Sequence, residues 1–542
     1  MKVVLTALIC AWLPVAAAAQ TVGNPPFPRL ATIYSKSGAG VSQRTDEGKR
    51  VIAKYDLYIP ILNMWGGPCG DDSGCRGHAG MTVGQYLKFL SPRQIDLIYI
   101  HSAFFPRWSA PRDGRGYSIA DTPYYFDLRW LLTYAGTTLR ADVDTSSRTF
   151  AVGELSFFTA GDFVLIGGVG AQAAELVKVT AESAADGPGE LTVERAQMDQ
   201  QGKFPAVAHV RGEYVRPVAY AWKQGFLACN VSAGCPRSDV NPGLGRGQTY
   251  NQFLAAFWAA KMAGDSAYAN LNGVFLDNFV DIPSQLLHHA SAVDYTNRNV
   301  ATASPLSMTY WKEGMADQAR EMRDRLTGKL IVANTGGSAD NSGRWLNGGM
   351  IEGVNQEGEN RFVGDADGNP MGYYRSWMTL GAAPQVFIYN ASDAISGSLE
   401  DARTDYRAMR FLLTLCMMND GYFDYDEFLV RNPTSGLNSG GHQSAWWYDE
   451  YDNAGGGKGY LGYPVSDAAE VRKGVWRRDF QHGIALCNAS GQEQDVSLNK
   501  AFKKIDGTQD RTVNDGSVVT HVRLRPKDGI ILLETKDFPL TH

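Results

Sequence analysis

The stretch NGVFLDNF, residues 272–279, decides how the rest of the chain is read. A short apolar run, Val274 to Leu276, ends on a carboxylate, Asp277, with Asn278 behind it. A second stretch, NGGMIEGV at 347–354, superposes on the first without a gap: Asn347 on Asn272, Gly348 on Gly273 and Glu352 on Asp277. Apolar runs of this length, bounded by turn residues, suit strands covered on both faces. Two of them ending on acids at one register predict that a single scaffold presents a pair of carboxylates.

Working outward from these two, strand and helix patterns alternate. LATIYS (30–35), YDLYIPIL (55–62) and QIDLIYIHSAFF (94–105) are strand candidates upstream of GVFLDNF. LIVANTGG (330–337) lies between the two acid strands; PQVFIYNA (384–391) and GYFDYDE (421–427) follow them. Segments of helical period separate them, among them 249–263, 307–326 and 405–418. This order predicts a (β/α)8, or TIM, barrel in which GVFLDNF is strand four and GGMIEGVN strand six. An open doubly wound sheet is the alternative, but no Gly-rich phosphate loop follows the first strand.

The barrel is expected over residues 20–148 and 217–470, interrupted at 149–216 by short strands between Gly, Asp and Pro turns, an inserted all-β module. From 471 to 542 the helical signal stops, and a C-terminal antiparallel β-sandwich is expected.

Residues 1–19 read as a secretory signal: Lys2, then an apolar run from Val3 to Val15, then Ala17-Ala18-Ala19 as a small-residue cleavage site. The expected location is therefore secreted or periplasmic. The run is too short to span a bilayer, so no membrane partner is expected after cleavage. Charged residues make up 20% and hydrophobic ones 44%, a globular balance, and a net charge of -6 without a basic run argues against nucleic acid. Cys69 with Cys75 and Cys229 with Cys235 form two close pairs, each expected to close a small polar loop as a disulfide. Neither pair has metal-ligand spacing, so neither a metal nor another cofactor is expected. Cys416 sits in an apolar helical pattern, and its relation to Cys487 is not readable.

In a barrel of this kind the C-terminal ends of the strands line the working face. Asp277 and Glu352 stand there as the candidate catalytic pair, with Glu357 in the loop after strand six as the reserve. Two carboxylates across a pocket are the minimal equipment for glycosidic cleavage: one donates a proton to the leaving oxygen, the other attacks or activates water. Asn63, His101, Asn278, Asn334, Gln356, Tyr389, Asn390 and Asp424 sit at or just past strand ends, where amide, imidazole, phenol and carboxylate groups suit sugar hydroxyls. Trp65 could stack on a pyranose face.

With these residues in place, the chain resembles the TIM-barrel glycoside hydrolases, most closely the bacterial group catalogued as hypothetical glycosyl hydrolase family 15. The resemblance rests on LATIYS, YDLYIPIL, GVFLDNF, LIVANTGG and GGMIEGVN in that order, and on the tail from IALCNAS to GIILL. It implies a carbohydrate-active hydrolase. Several α-glycosidase clans place a nucleophile at the end of strand four and an acid/base at the end of strand six, which would map onto Asp277 and Glu352. The expectation is a retaining O-glycosidase acting on a poly- or oligosaccharide. The rivals are a polysaccharide lyase, with His101 or a tyrosine as base, and a non-catalytic glycan-binding protein on a degenerate barrel.

Overall fold

The computed structural model describes residues 24–33, 45–69, 75, 77–78, 80–106, 126–167, 174–197, 205–221, 226–238, 247–283, 287, 292–335, 342–354, 370–395, 403–429 and 446–535. The expected signal at 1–19, and Gln356 and Glu357, lie outside them. Eight parallel strands form one sheet in chain order: β1 (Ala31–Ile33), β2 (Leu57–Ile59), β3 (Ile95–His101), β4 (Gly273–Asp277), β5 (Leu330–Asn334), β6 (Gly348–Val354), β7 (Val386–Ile395) and β8 (Tyr422–Leu429). Leu30 bridges Phe423 in parallel, and the Phe423 N–H donates to the Arg29 carbonyl at 2.9 Å, so the sheet closes into a barrel. Helices α1 (Asp46–Ile52), α2 (Val83–Leu90), α3 (Tyr250–Gly264), α4 (Leu306–Arg325), α5 (Pro370–Leu380) and α6 (Tyr406–Met417) lie between the strands; between β5 and β6 a 3-10 turn, Gly343–Trp345, stands in for a helix. Thr82 with Gln85 and Thr249 with Gln252 form reciprocal capping boxes that start α2 and α3.

The Asn-Gly pair that opens both acid strands has one structural job at both sites. Asn272 Oδ1 accepts the Asp96 N–H of the neighbouring β3 at 2.9 Å, and Asn347 Oδ1 accepts the Ile331 N–H of β5 at 2.8 Å. The glycine after each asparagine lies against the next strand: a Cβ on Gly273 would sit 1.9 Å from the Leu330 carbonyl oxygen, and one on Gly348 would sit 1.5 Å from that of Val386. The sequence repeat thus marks the entry of each strand, and its acids mark the exit.

Inside the barrel, alternation fills the interior with Leu57, Ile59, Ile95, Leu97, Phe275, Leu330, Val332, Met350, Val386, Ile388 and Tyr422. One strand step beyond this apolar plug, the same face turns polar.

Between β3 and α3 the chain builds an antiparallel six-stranded sheet from Thr137–Thr138, Thr149–Val152, Phe163–Ile166, Glu175–Glu182, Gly189–Glu194 and Tyr214–Pro217. It has its own core, including Phe150, Val164, Val177, Leu191 and Val215. At one side Glu175 is buried with Arg195 and His209: Arg195 Nε donates to it at 3.0 Å and His209 Nε2 lies 3.2 Å away, while His209 Nδ1 is 2.7 Å from Glu213. Burial alone would raise the Glu175 carboxyl, but hydrogen bonds from His209, Arg195 and the Val207 and Ala196 N–H groups outweigh it and hold it at about 2.

The C-terminal residues form a second six-stranded antiparallel sheet, from Ala469–Arg472 to Asp528–Glu534. One face encloses Val475, Ile484, Leu486, Phe502 and Leu532; Ala485, Cys487 and Ile531 on the other join the main core. Arg410 of α6, 1% exposed at its side chain, reaches Asp510 at 2.8 Å, Asp528 at 3.6 Å and Glu450 at 3.7 Å, tying barrel helix to sheet.

Cys69 and Cys75 form the expected disulfide. Cys229 and Cys235 do not: both are buried free thiols, as are Cys416 and Cys487. Cys229 and Cys235 both pack in the main core beside Tyr250, whose N–H donates to Cys235 Sγ at 3.5 Å. Burial pushes the Cys235 thiol up to about 12, which disfavours the reactive thiolate.

Two outcomes follow from this frame. Gly273→Ala should cost about 3 kcal/mol, because its methyl group meets backbone that cannot give way, and should appear as a lowered thermal midpoint. Because the folded Glu175 carboxyl lies below its ordinary 4.5, its stabilisation is present above that pH and is lost as pH falls towards 2. Limited proteolysis in that window should cut first within 137–217, and Glu175→Gln should flatten the dependence.

Candidate active site

The polar ring at the C-terminal end of the barrel follows from strand alternation alone. Phe275 leads to Asp277 on β4, Val332 to Asn334 on β5, Met350 to Glu352 on β6, Ile388 to Asn390 on β7 and Tyr422 to Asp424 on β8. On β3, Leu97 leads to Tyr99 and then His101. Strand register holds neighbours level: Asp277 pairs with His101, Glu352 with Asn390, and Asn390 with Asp424.

Asn334 is the centre of the ring. Its Nδ2 donates to Asp277 Oδ1 at 3.0 Å and to Glu352 Oε2 at 2.7 Å. A single amide nitrogen thus uses both its hydrogens to bridge the two acids that the sequence singled out. The two bonds limit the separation of those oxygens to about 6 Å.

The second oxygen of Asp277 is held from the other side. Asp277 Oδ2 accepts the Tyr99 hydroxyl and, at 2.8 Å, the Asn278 Nδ2, and His101 Nδ1 lies 3.6 Å away. Asn278 Nδ2 is also 3.3 Å from His101 Nδ1. Asn278 itself lies in the left-handed region, with φ 57, which asparagine tolerates. That turn swings the chain out of β4, while Ser102 N–H and Oγ donate to the Asp277 and Asn278 carbonyls, both at 3.0 Å.

Asp277 and Glu352 differ in setting. The Asp277 side chain is 14% exposed, whereas Glu352 is exposed at the mouth. Across the ring, Asn390 Nδ2 donates to the buried Asp424 at 2.7 Å, and Asn390 Oδ1 accepts the Gly353 N–H at 3.3 Å.

The structure therefore gathers His101, Asn278, Asn334 and Asp424 with the two acids. Two expected sugar contacts it places elsewhere. Trp65 is fully buried beneath α2, its indole N–H donating to the Ala267 carbonyl at 2.8 Å, because the chain after β2 turns into a short helix that folds the ring inward. Tyr389 is one residue out of phase with Asn390 and so faces outward from β7, buried against Phe387 and Tyr374, with its hydroxyl accepting from Asn419 at 2.7 Å. The side chain of Asn63, like Gln356 and the reserve acid Glu357, lies outside the described residues. Tyr99 was missed, although its place two residues before His101 put it on the same face. Among the described residues, no group of His, Cys, Asp and Glu gathers as a metal site. A cavity of about 590 Å³, lined by Asp56, Gln94 and Asn272 among others, opens at the opposite end of the barrel, where β2, β3 and β4 begin, and holds neither acid.

If the Asn334 bridge sets the acids, Asn334→Ala should lower glycan turnover by about 10- to 100-fold while the thermal midpoint changes little, since positioning errors cost about that much. Parallel rate and melting measurements check it.

Residues 245–484 match the family model described as hypothetical glycosyl hydrolase family 15. No curated protein matches the chain. Among solved structures, an alpha-amylase from Malbranchea cinnamomea is similar at 7% identity and TM-score 0.40, covering 93% of this chain and 96% of its own. Amy13B of Eubacterium rectale is similar at 8% identity and TM-score 0.38, covering 95% of this chain and 97% of its own. The matched segment contains β4 to β8, and with them Asp277, Asn334 and Glu352. Over residues 245–484 the chain resembles hypothetical glycosyl hydrolase family 15, and its eight parallel strands close into a TIM barrel.

Proposed function

We propose that the protein is an exported, retaining glycosidase of poly- or oligosaccharides, with Asp277 as nucleophile and Glu352 as general acid/base. The observation that carries this reading is the Asn334 amide shared by both acids. The bound of about 6 Å on the two facing oxygens is in keeping with the roughly 5–5.5 Å between the carboxyl groups of retaining pairs.

The roles follow from the hydrogen bonds. Tyr99, Asn278 and Asn334 all donate to Asp277, so this carboxylate is the acceptor in each bond, which suits a nucleophile rather than a proton donor. Glu352, exposed at the mouth, can meet a departing oxygen. In the first step an Asp277 electron pair bonds the anomeric carbon, the glycosidic C–O bond breaks, and the leaving oxygen takes the Glu352 proton. In the second, water attacks the same carbon, gives a proton back to Glu352, and the ester electron pair returns to Asp277. We assign sugar-hydroxyl contacts beside this pair to His101 and Asp424, which lie on the same ring. Export is supported by the signal-like residues 1–19 and by the Cys69–Cys75 disulfide, which persists in oxidising compartments.

A screen against bacterial and plant polysaccharides with product sizing identifies the substrate. On it, Asp277→Asn and Glu352→Gln should each lower kcat by about 10²- to 10⁴-fold, with the melting curves unchanged. Proton NMR should show the first-formed product with retained configuration. Near wild-type turnover in both variants sinks the pair, an inverted product sinks the retaining mechanism, and ultraviolet-absorbing unsaturated ends mark a lyase instead.

A further inference from the structure

Asp277 offers its two oxygens unequally. A carboxylate oxygen accepts about two hydrogen bonds. Oδ2 already takes two, from the Tyr99 hydroxyl and the Asn278 amide, whereas Oδ1 takes one, from Asn334. Oδ1 is also the oxygen on the Glu352 side, because the same Asn334 nitrogen touches Oδ1 and Glu352 Oε2. An anomeric carbon bound between the two acids therefore meets Oδ1, which keeps a lone pair towards it.

We infer that Asp277 attacks through Oδ1 and that Tyr99 and Asn278 are positioning residues that hold Oδ2 and make Asp277 a better leaving group in the second step. This rests on the retaining reading given above. When Oδ1 is bonded to sugar, Oδ2 is the carbonyl oxygen of the ester. As water displaces the sugar, the returning electron pair spreads over both oxygens, and the Tyr99 and Asn278 hydrogen bonds strengthen as that charge grows. The pair does not assist the first step in the same way, because there the carboxylate loses charge. Tyr99 is built for a fixed role: its ring stacks on Phe275, with centroids 6.1 Å apart, and meets the edge of His101 at 5.1 Å, so the hydroxyl is aimed by packing on the barrel interior.

The test uses the full chain and the activated 2,4-dinitrophenyl glycosides of glucose, galactose and mannose, in both anomers, together with the polysaccharide that the wild type cleaves. Tyr99→Phe keeps the ring and removes the hydroxyl. Asn278→Gly keeps the left-handed backbone and removes the amide, and serves as an independent second variant should the first fail to fold. In each, glycosyl-enzyme hydrolysis should slow by about tenfold or more, the loss of one hydrogen bond to a charged group. The readouts are a burst of dinitrophenolate approaching one equivalent of enzyme, a kcat and a KM that fall together, and an intact-protein mass raised by one sugar. A merely structural role would lower kcat without a burst or a mass shift. That outcome, or kinetics equal to wild type in both variants, overturns the inference. If Asp277→Asn is inactive while neither variant shows a burst, the inference fails and the carboxylate pair stands. If Asp277→Asn keeps full activity, both fail.

Discussion

Side chains alternate along every barrel strand, and the rest of the site depends on that constraint. The face that fills the interior with Phe275, Val332 and Met350 delivers Asp277, Asn334 and Glu352 two residues later. Closure of the sheet by the Leu30–Phe423 bridge holds these strand ends at fixed spacing, so the acids are set by backbone hydrogen bonds rather than by loops. The Asn-Gly entries of β4 and β6 add to this. Each asparagine ties its strand to the preceding one, and each glycine lets the following backbone approach. A slip of one residue would turn every inner side chain outward.

Two carboxylates close together repel, and the arrangement around them answers that cost with donors. Asn334 places a hydrogen against each acid, and Tyr99 and Asn278 engage the far oxygen of Asp277. All of these donors are neutral groups.

Elsewhere the buried charges serve attachment. Arg410 ties α6 to the C-terminal sheet through Asp510 and Asp528, and Glu175 gathers Arg195 and His209 inside the inserted sheet. Breaking such a network costs more than forming it gains, because the remaining charge is left in a dry interior. The barrel is thereby flanked by two sheets with their own cores.

The sequence by itself determined the barrel, because eight apolar strands in alternation with helices have few other solutions. It also determined the two acids, because NGVFLDNF and NGGMIEGV carry the same register from strand entry to strand exit. What only the tertiary structure decided was which neighbours reach those acids. Trp65 and Tyr389 are the right residue types at strand ends, yet one folds beneath a helix and the other points outward, since burial and phase are properties of the closed sheet. Tyr99 hides in a continuous apolar run, where only its spacing of two from His101 marks its inner side. Cys229 and Cys235 sit as close in sequence as the bonded Cys69 and Cys75, yet are free thiols buried in the main core. Spacing along a chain limits which groups can meet; only packing decides which do.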